Sequence, residues 1–187
     1  MSLSQNYNSN KLNILLLLLQ PIKNELINSL INHLEPLFNA LCKVEIKQLN
    51  LEFAYNKKRQ QYDSTAILAY LKPLSPNNYR TIAIFSKDLF SSGSTFVFGE
   101  AEVAGRIAII SLARLTDLNS QNFDSLISIL CKEVTHELGH VIGLRHCLNK
   151  RCVMSFSANL EAVEKKQAKF CPDCLHTLAE ILMYQNI

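Results

Sequence analysis

Three of the chain's five histidines fall within one short stretch, His136-Glu137-Leu138-Gly139-His140-Val141-Ile142-Gly143-Leu144-Arg145-His146. On a helix, residues four apart share a face, so His136 and His140 can offer two imidazoles to one Zn2+. Glu137 leaves the helix about 100° round from His136. It stands beside the ion rather than on it, where it can accept a proton from a water on the metal. That arrangement suits hydrolysis of a peptide bond. A continued helix would carry His146 well past the ion. Gly143 offers the remedy, because glycine can turn left-handed, end the helix and let the chain bring His146 back.

The spacing H-E-x-x-H-x-x-G-x-x-H is more specific than H-E-x-x-H alone and is the metzincin signature, whose downstream companion is a Met-turn. Met154 follows in Cys152-Val153-Met154-Ser155, and Cys147, Cys152, Cys171 and Cys174 complete the pattern H-C-x4-C-x-M followed by C-x-x-C. Spacing leaves three readings of these cysteines open: a closed tetrahedral zinc site, two disulfides, or a thiol redox pair at Cys171-Pro172-Asp173-Cys174. A redox pair of this type ordinarily follows a strand in a βαβ pattern, whereas this one follows an amphipathic segment.

With these cysteines the chain resembles the archaemetzincins. Phe96-Val97-Phe98-Gly99-Glu100-Ala101, Gly105-Arg106-Ile107-Ala108, Ser111-Leu112-Ala113-Arg114 and Cys171 to Leu175 look like family sequence, so the resemblance runs over roughly residues 80 to 178. It implies that His136, His140 and His146 hold a catalytic zinc and that Glu137 is the general base. It further implies that Cys147, Cys152, Cys171 and Cys174 hold a second, structural zinc, and that Met154 forms an apolar floor beneath the histidines. The implied substrate is a peptide or an unfolded protein segment lying along an edge strand placed at Phe96 to Ala101. Phe96, Val97, Phe98 and Gly99 are the candidate contacts. Glu100 and Glu102 can be read as acceptors for a substrate amino terminus, as in an aminopeptidase, or as plain solvent-facing carboxylates.

Elements must position these groups. The run Ile14 to Leu19 within residues 12 to 19 reads as a buried strand, and Leu26, Leu30, Leu34 and Leu37 keep helical spacing from Pro21 to about Leu41, with Pro36 expected to kink or shorten the helix. Val44 to Leu51 alternates as a strand, Asn56 to Tyr62 reads as a loop, and Asp63 caps a helix through Leu71. Thr81 to Phe85 reads as a central strand, with Phe96 to Phe98 and Arg106 to Leu112 as two more. After polar Asn119 to Asn122, a long helix runs from about Phe123 or Asp124 to Ile142. Its buried stripe is Leu126, Ile127, Leu130, Val134, Leu138 and Val141, with the histidines on an adjacent face. Leu160 to Lys169 and Cys174 to Tyr184 read as two further helices.

The expected class is therefore α/β (α+β), a metzincin-like single domain over 1–187. A mixed, mostly parallel twisted sheet carries packed helices and an antiparallel edge strand. Residues 1–11 are expected to be a flexible lead, 12–143 an N-terminal subdomain with the active-site helix, and 144–187 a small C-terminal subdomain holding the four cysteines.

Composition bounds the alternatives. A 187-residue chain with 48% apolar residues can bury one core. The net charge of +3 is spread out apart from Lys57-Lys58-Arg59 and Lys165-Lys166, which read as solvated clusters, so no nucleic-acid partner is expected. The apolar run at Ile14 to Leu19 is far short of the roughly 20 residues that span a bilayer, and it lacks the flanks of a signal peptide. The expectation is a cytoplasmic, monomeric protein without a membrane partner. Cys42 and Cys131 read as small core residues, and His33 and His176 as ordinary histidines. The function classes in play are a zinc metallopeptidase, a two-zinc binding or scaffold protein with little catalysis, and a thiol redox protein.

Overall fold

A computed structural model describes residues 11–115 and 123–184. The main sheet has five strands, β1 (Leu12–Leu18), β2 (Ala40–Ile46), β5 (Arg80–Phe85), β7 (Gly99–Ala101) and β8 (Ile107–Ser111), in the order β2-β1-β5-β8-β7. All neighbours run parallel except β7, which pairs antiparallel with β8 through Gly99↔Ile110, Glu100↔Ile109 and Ala101↔Ala108. The expected mixed sheet with an antiparallel edge is present.

The continuous apolar run of β1 conceals a period of two. Leu12, Ile14, Leu16 and Leu18 face one cluster with α1 (Asn24–Phe38) and α3 (Phe123–Ile142), whereas Leu17 and Leu19 face another with α2 (Ser64–Leu71). A parallel strand covered by helices on both faces loses the polar face that would betray its alternation. The larger cluster continues through Cys152, Val153, Met154 and Phe170 to Leu178, so one core spans the sheet and the C-terminal segment.

Several boundaries differ from expectation. Helix α1 passes through Pro36 and ends at Phe38, where Asn39 adopts a left-handed φ of 47°. Pro36 lies within the last turn: it forgoes the bond to the Asn32 carbonyl, and the helix ends two residues later. Strand β2 starts at Ala40, because register with β1 outweighs the alternation that suggested Val44 to Leu51. The segment read as a loop from Asn56 to Tyr62 contributes a small hairpin, β3 (Tyr55–Asn56) with β4 (Gln61–Asp63), and β6 (Leu89–Phe90) completes a three-stranded second sheet. Asp63 caps α2 as expected, accepting from Ala66 N–H at 3.1 Å. The strand expected at Phe96 to Phe98 is not regular: Val97 makes one isolated bridge to Leu89, and the edge strand begins at Gly99.

Helix α3 begins and ends as read, but it is more deeply enclosed. From Ile129 to Ile142 every residue is buried, including the face that carries the histidines. The last two elements are α4 (Leu160–Lys165), shorter than expected, and α5 (Pro172–Tyr184). The Asn119 to Asn122 stretch lies outside the described residues, as does nearly all of the expected lead. No helix among the described residues is long and apolar enough to cross a membrane.

Candidate active site and metal centres

The two helical imidazoles converge as the spacing requires. His136 Nε2 and His140 Nε2 stand 3.1 Å apart. Two nitrogens about 2.05 Å from a tetrahedral zinc would be about 3.3 Å apart, so the pair fits one ion. Each ring is oriented from behind: His136 Nδ1 donates to Val153 O at 2.8 Å and His140 Nδ1 to Leu144 O at 2.8 Å. With Nδ1 protonated, each Nε2 presents a lone pair outward, which is the tautomer a metal needs. Burial lowers the pKa of all three histidines, that of His136 to about 2, so the imidazoles are neutral ligands at ordinary pH.

The third imidazole arrives by the turn that Gly143 allows. Helix α3 stops at Ile142, Gly143 takes φ +132°, and both Gly143 N–H and Leu144 N–H donate to Gly139 O. His146 thereby returns with its ring centroid 4.8 Å from that of His140 and 5.3 Å from that of His136. The ligand nitrogens of all three histidines lie within 4.8 Å of one another. Beneath them Met154 is fully buried against Gly139, where an added Cβ would sit 2.4 Å from Met154 Sδ. Glycine in the signature thus leaves room for the methionine.

Glu137 is buried beside the histidines, and Gly99 of β7 backs it so closely that a Cβ there would lie 2.8 Å from Glu137 Cγ. Burial pushes the Glu137 carboxyl well above the usual carboxylate range; Glu133 adds repulsion, and the Lys166 ammonium opposes it. A raised carboxyl pKa suits a group that must take up and return a proton near neutral pH.

The cysteines form a second cluster. The sulfurs of Cys147, Cys152, Cys171 and Cys174 all lie within 4.8 Å of one another, and Cys147 Sγ is 3.8 Å from Cys171 Sγ. Sulfurs about 2.3 Å from a tetrahedral zinc are about 3.8 Å apart, whereas a disulfide needs about 2.05 Å. All six cysteines of the chain are free. Cys147 N–H donates to Met154 O at 2.9 Å and Cys171 N–H to Cys152 Sγ at 3.3 Å, so the loop carrying the third histidine is tied to the methionine turn and the sulfur cluster.

A cleft of about 1040 Å³ opens over the histidines. Phe96, Val97, Phe98 and Gly99 all line it, together with Glu100. Glu100 accepts from the hydroxyls of Ser64 and Thr65, the latter at 2.8 Å, and Glu102 pairs with Lys72. The opposite rim carries exposed Phe156, whose ring stands 5.4 Å from that of His146, and Arg145. Sequence reasoning missed one feature altogether. Lys166, read as half of a solvated cluster, is 2% exposed and pairs with buried Glu133 at 2.8 Å in the cleft wall. Its neighbour Lys165 is the solvated one, bonded to Glu161 across one helical turn. Charge clustering hides the difference, because only the fold decides which of two adjacent lysines turns inward.

Comparison with known proteins agrees with this geometry. The model of peptidase family M54 matches residues 25–180. The archaemetzincin of Archaeoglobus fulgidus is 38% identical over 82% of this chain and 91% of its own, and that of Saccharolobus solfataricus is 36% identical over 93% and 97%. The crystal structure of the archaemetzincin from Methanopyrus kandleri superposes with a TM-score of 0.86 at 32% identity, covering 94% of this chain and 98% of that one. A zinc-dependent peptidase from Methanocorpusculum labreanum, at 24% identity and TM-score 0.80, shares the fold. The chain belongs to peptidase family M54, the archaemetzincin family of zinc metallopeptidases.

Proposed function

We propose that the protein hydrolyses peptide bonds at His136, His140 and His146 with Glu137 as general base, and that it holds two zinc ions, one there and one on the four cysteines. The observation that carries this reading is the convergence of three lone pairs, two of them on rings fixed by backbone carbonyls, with a buried carboxylate at their side. His136, His140 and His146 would hold a zinc ion, which when bound would supply Lewis acidity toward the scissile carbonyl and the attacking water. Glu137 takes the proton released from the attacking water and delivers it to the leaving amine nitrogen, so one carboxyl serves both halves of the reaction. Gly99 and the buried surroundings hold that carboxyl in place and exclude bulk water from it.

The substrate lies as an extended chain along β7, the outermost strand of the main sheet, whose free edge faces the cleft and can pair with it. Phe96, Val97, Phe98 and Gly99 line its path. Glu100 is the carboxylate placed to meet a free amino terminus, although it already accepts from two hydroxyls. The cysteine zinc is closed and structural, bracing His146 through its neighbour Cys147.

The test is cleavage of a mixed-sequence peptide library by zinc-loaded protein, read by mass spectrometry, with Glu137→Ala as the matched control and acetylated against free amino termini. Cuts confined to the unaltered protein support the reading, and their dependence on a free terminus separates aminopeptidase from endopeptidase action. Equal cutting by Glu137→Ala removes the general base from the mechanism. No cuts from protein with both zinc ions bound would favour a scaffold role instead.

A further inference from the structure

Lys166 is an unusual residue to find in the wall of a peptidase cleft. Its side chain is buried, and among the described residues its one polar contact is the ion pair with Glu133. An ammonium carries three donors, so at least two stay unused in a place where water is scarce. Glu133 lies on α3 one turn before His136 and Glu137, which puts the pair about 5 Å along the helix from the reacting groups. Lys166 is close enough for its charge to be felt at all three histidines and at Glu137.

Stapling α4 to α3 does not account for the pair. Lys132 Nζ already donates to Glu164 O at 2.9 Å and joins the same two elements. A buried ion pair is also a poor way to gain stability, since an apolar pair of similar volume often does as well or better. What an ion pair at a cleft wall can do, and an apolar pair cannot, is present fixed charge to a ligand. Glu133 holds the lysine in the cleft wall. Arg145 on the rim adds a second positive charge facing the same cleft.

We propose that Lys166, held by Glu133, is the floor of a subsite that accepts a substrate carboxylate one residue away from the scissile bond, so that the enzyme selects acidic peptides or a carboxyl-terminal residue. This rests on the peptidase reading and adds a substrate class to it. The carboxylate comes either from an Asp or Glu side chain flanking the cut or from the chain terminus, and both would accept the two spare ammonium donors.

The experiment measures kcat/KM and binding for matched peptides. Glu is replaced by Gln at each position flanking the cut, and each peptide is made with a free and an amidated carboxyl terminus. Binding is read by fluorescence anisotropy on zinc-loaded Glu137→Ala protein, so a failure of catalysis does not silence the test. The unaltered cleft should favour Glu over Gln, or free over amidated termini, by about tenfold or more, as expected for a charge-assisted contact. In Lys166→Met that ratio should fall to within about twofold. Because removing the lysine leaves Glu133 buried and alone, the double variant Glu133→Gln/Lys166→Met is measured beside it, with zinc content and circular dichroism as checks on folding. A Glu preference assigns the subsite to acidic side chains, and a terminus preference assigns it to carboxyl ends. No carboxylate preference in either arm, or one that persists in the folded double variant, overturns the proposal. So does a preference for Lys or Arg that disappears in Glu133→Gln.

Discussion

Replacing Gly99 by alanine tests the active-site geometry most directly. The new Cβ would lie 2.8 Å from Glu137 Cγ, 2.9 Å from Ile109 O and 2.9 Å from Ile110 Cδ1. Carbon atoms in contact prefer about 3.5–4.0 Å, so each of the two carbon contacts overlaps by more than half an ångström. Ile109 O belongs to the β7–β8 ladder and Ile110 is fully buried, so neither gives way easily. Much of the movement falls on Glu137. A displacement of about 1 Å at a catalytic group costs on the order of 100-fold in rate. Overpacking of a filled interior adds about 1–3 kcal/mol of destabilisation, or roughly 2–12 °C in Tm at this chain length. The assay is kcat on a cleavable peptide, with zinc by elemental analysis and Tm by calorimetry. We expect a large fall in kcat with zinc content unchanged. A Gly99→Ala protein with unchanged kcat and Tm would refute the close approach. Loss of the histidine zinc would show that the strand supports the ligands rather than the base.

Gly143→Ala keeps ordinary space around its Cβ, the nearest atom being Ile181 Cδ1 at 3.5 Å, but holds φ at +132°. Its cost is therefore backbone strain of about 1–3 kcal/mol, and weaker zinc binding at the histidines should accompany it as His146 moves, measurable by chelator competition. Cys174→Ser should remove one zinc per chain and lower Tm well beyond the effect of Cys42→Ser, because a closed tetrahedral site contributes its binding energy to folding. Equal zinc content and equal Tm in the two variants would place no structural ion on the cysteines. In metal-stripped protein, His33, His136, His140 and His146 have pKa values lowered by burial, so the folded state binds fewer protons than the unfolded state. Stability is then full above the unfolded value of about 6.5 and is lost as pH falls toward the folded values. With its folded pKa at about 2, His136 alone accounts for about 2 kcal/mol by pH 5. The raised Glu137 carboxyl titrates in the opposite sense, so denaturant titrations at pH 7.5 and 5 on Glu137→Gln protein check this, and a flat profile there would contradict it.

Some of these features are legible in local sequence and some are not, and the difference follows from the range of the forces involved. Asp63 before an apolar stretch predicts a cap because the bond it accepts is three residues away. The edge strand was placed a few residues early because Phe96 to Phe98 has the apolar character of a strand but spends it on the cleft and the core. Ladder pairing with β8 starts only at Gly99. The small hairpin at Tyr55 to Asp63 reads as a loop over Asn56 to Tyr62, because its polar, basic turn outweighs the few residues that pair. The full burial of α3 could not be read from its one apolar stripe, since the polar face is covered by segments more than ten residues further along the chain.

By itself the sequence determined which histidines could share an ion, the carboxylate beside them, the helix that carries them and the glycine that ends it. Those are relations between residues a turn or two apart, where helical geometry leaves little choice. It also identified the four cysteines, although not their proximity. Only the tertiary structure decided what stands behind each group: Val153 O on His136, Leu144 O on His140, Gly99 against Glu137 and Met154 against Gly139. It alone turned Lys166 inward onto Glu133 and left Lys165 in solvent. Such contacts join elements far apart in the chain, so they are set by the close packing of the whole core and not by any local relation between neighbouring residues.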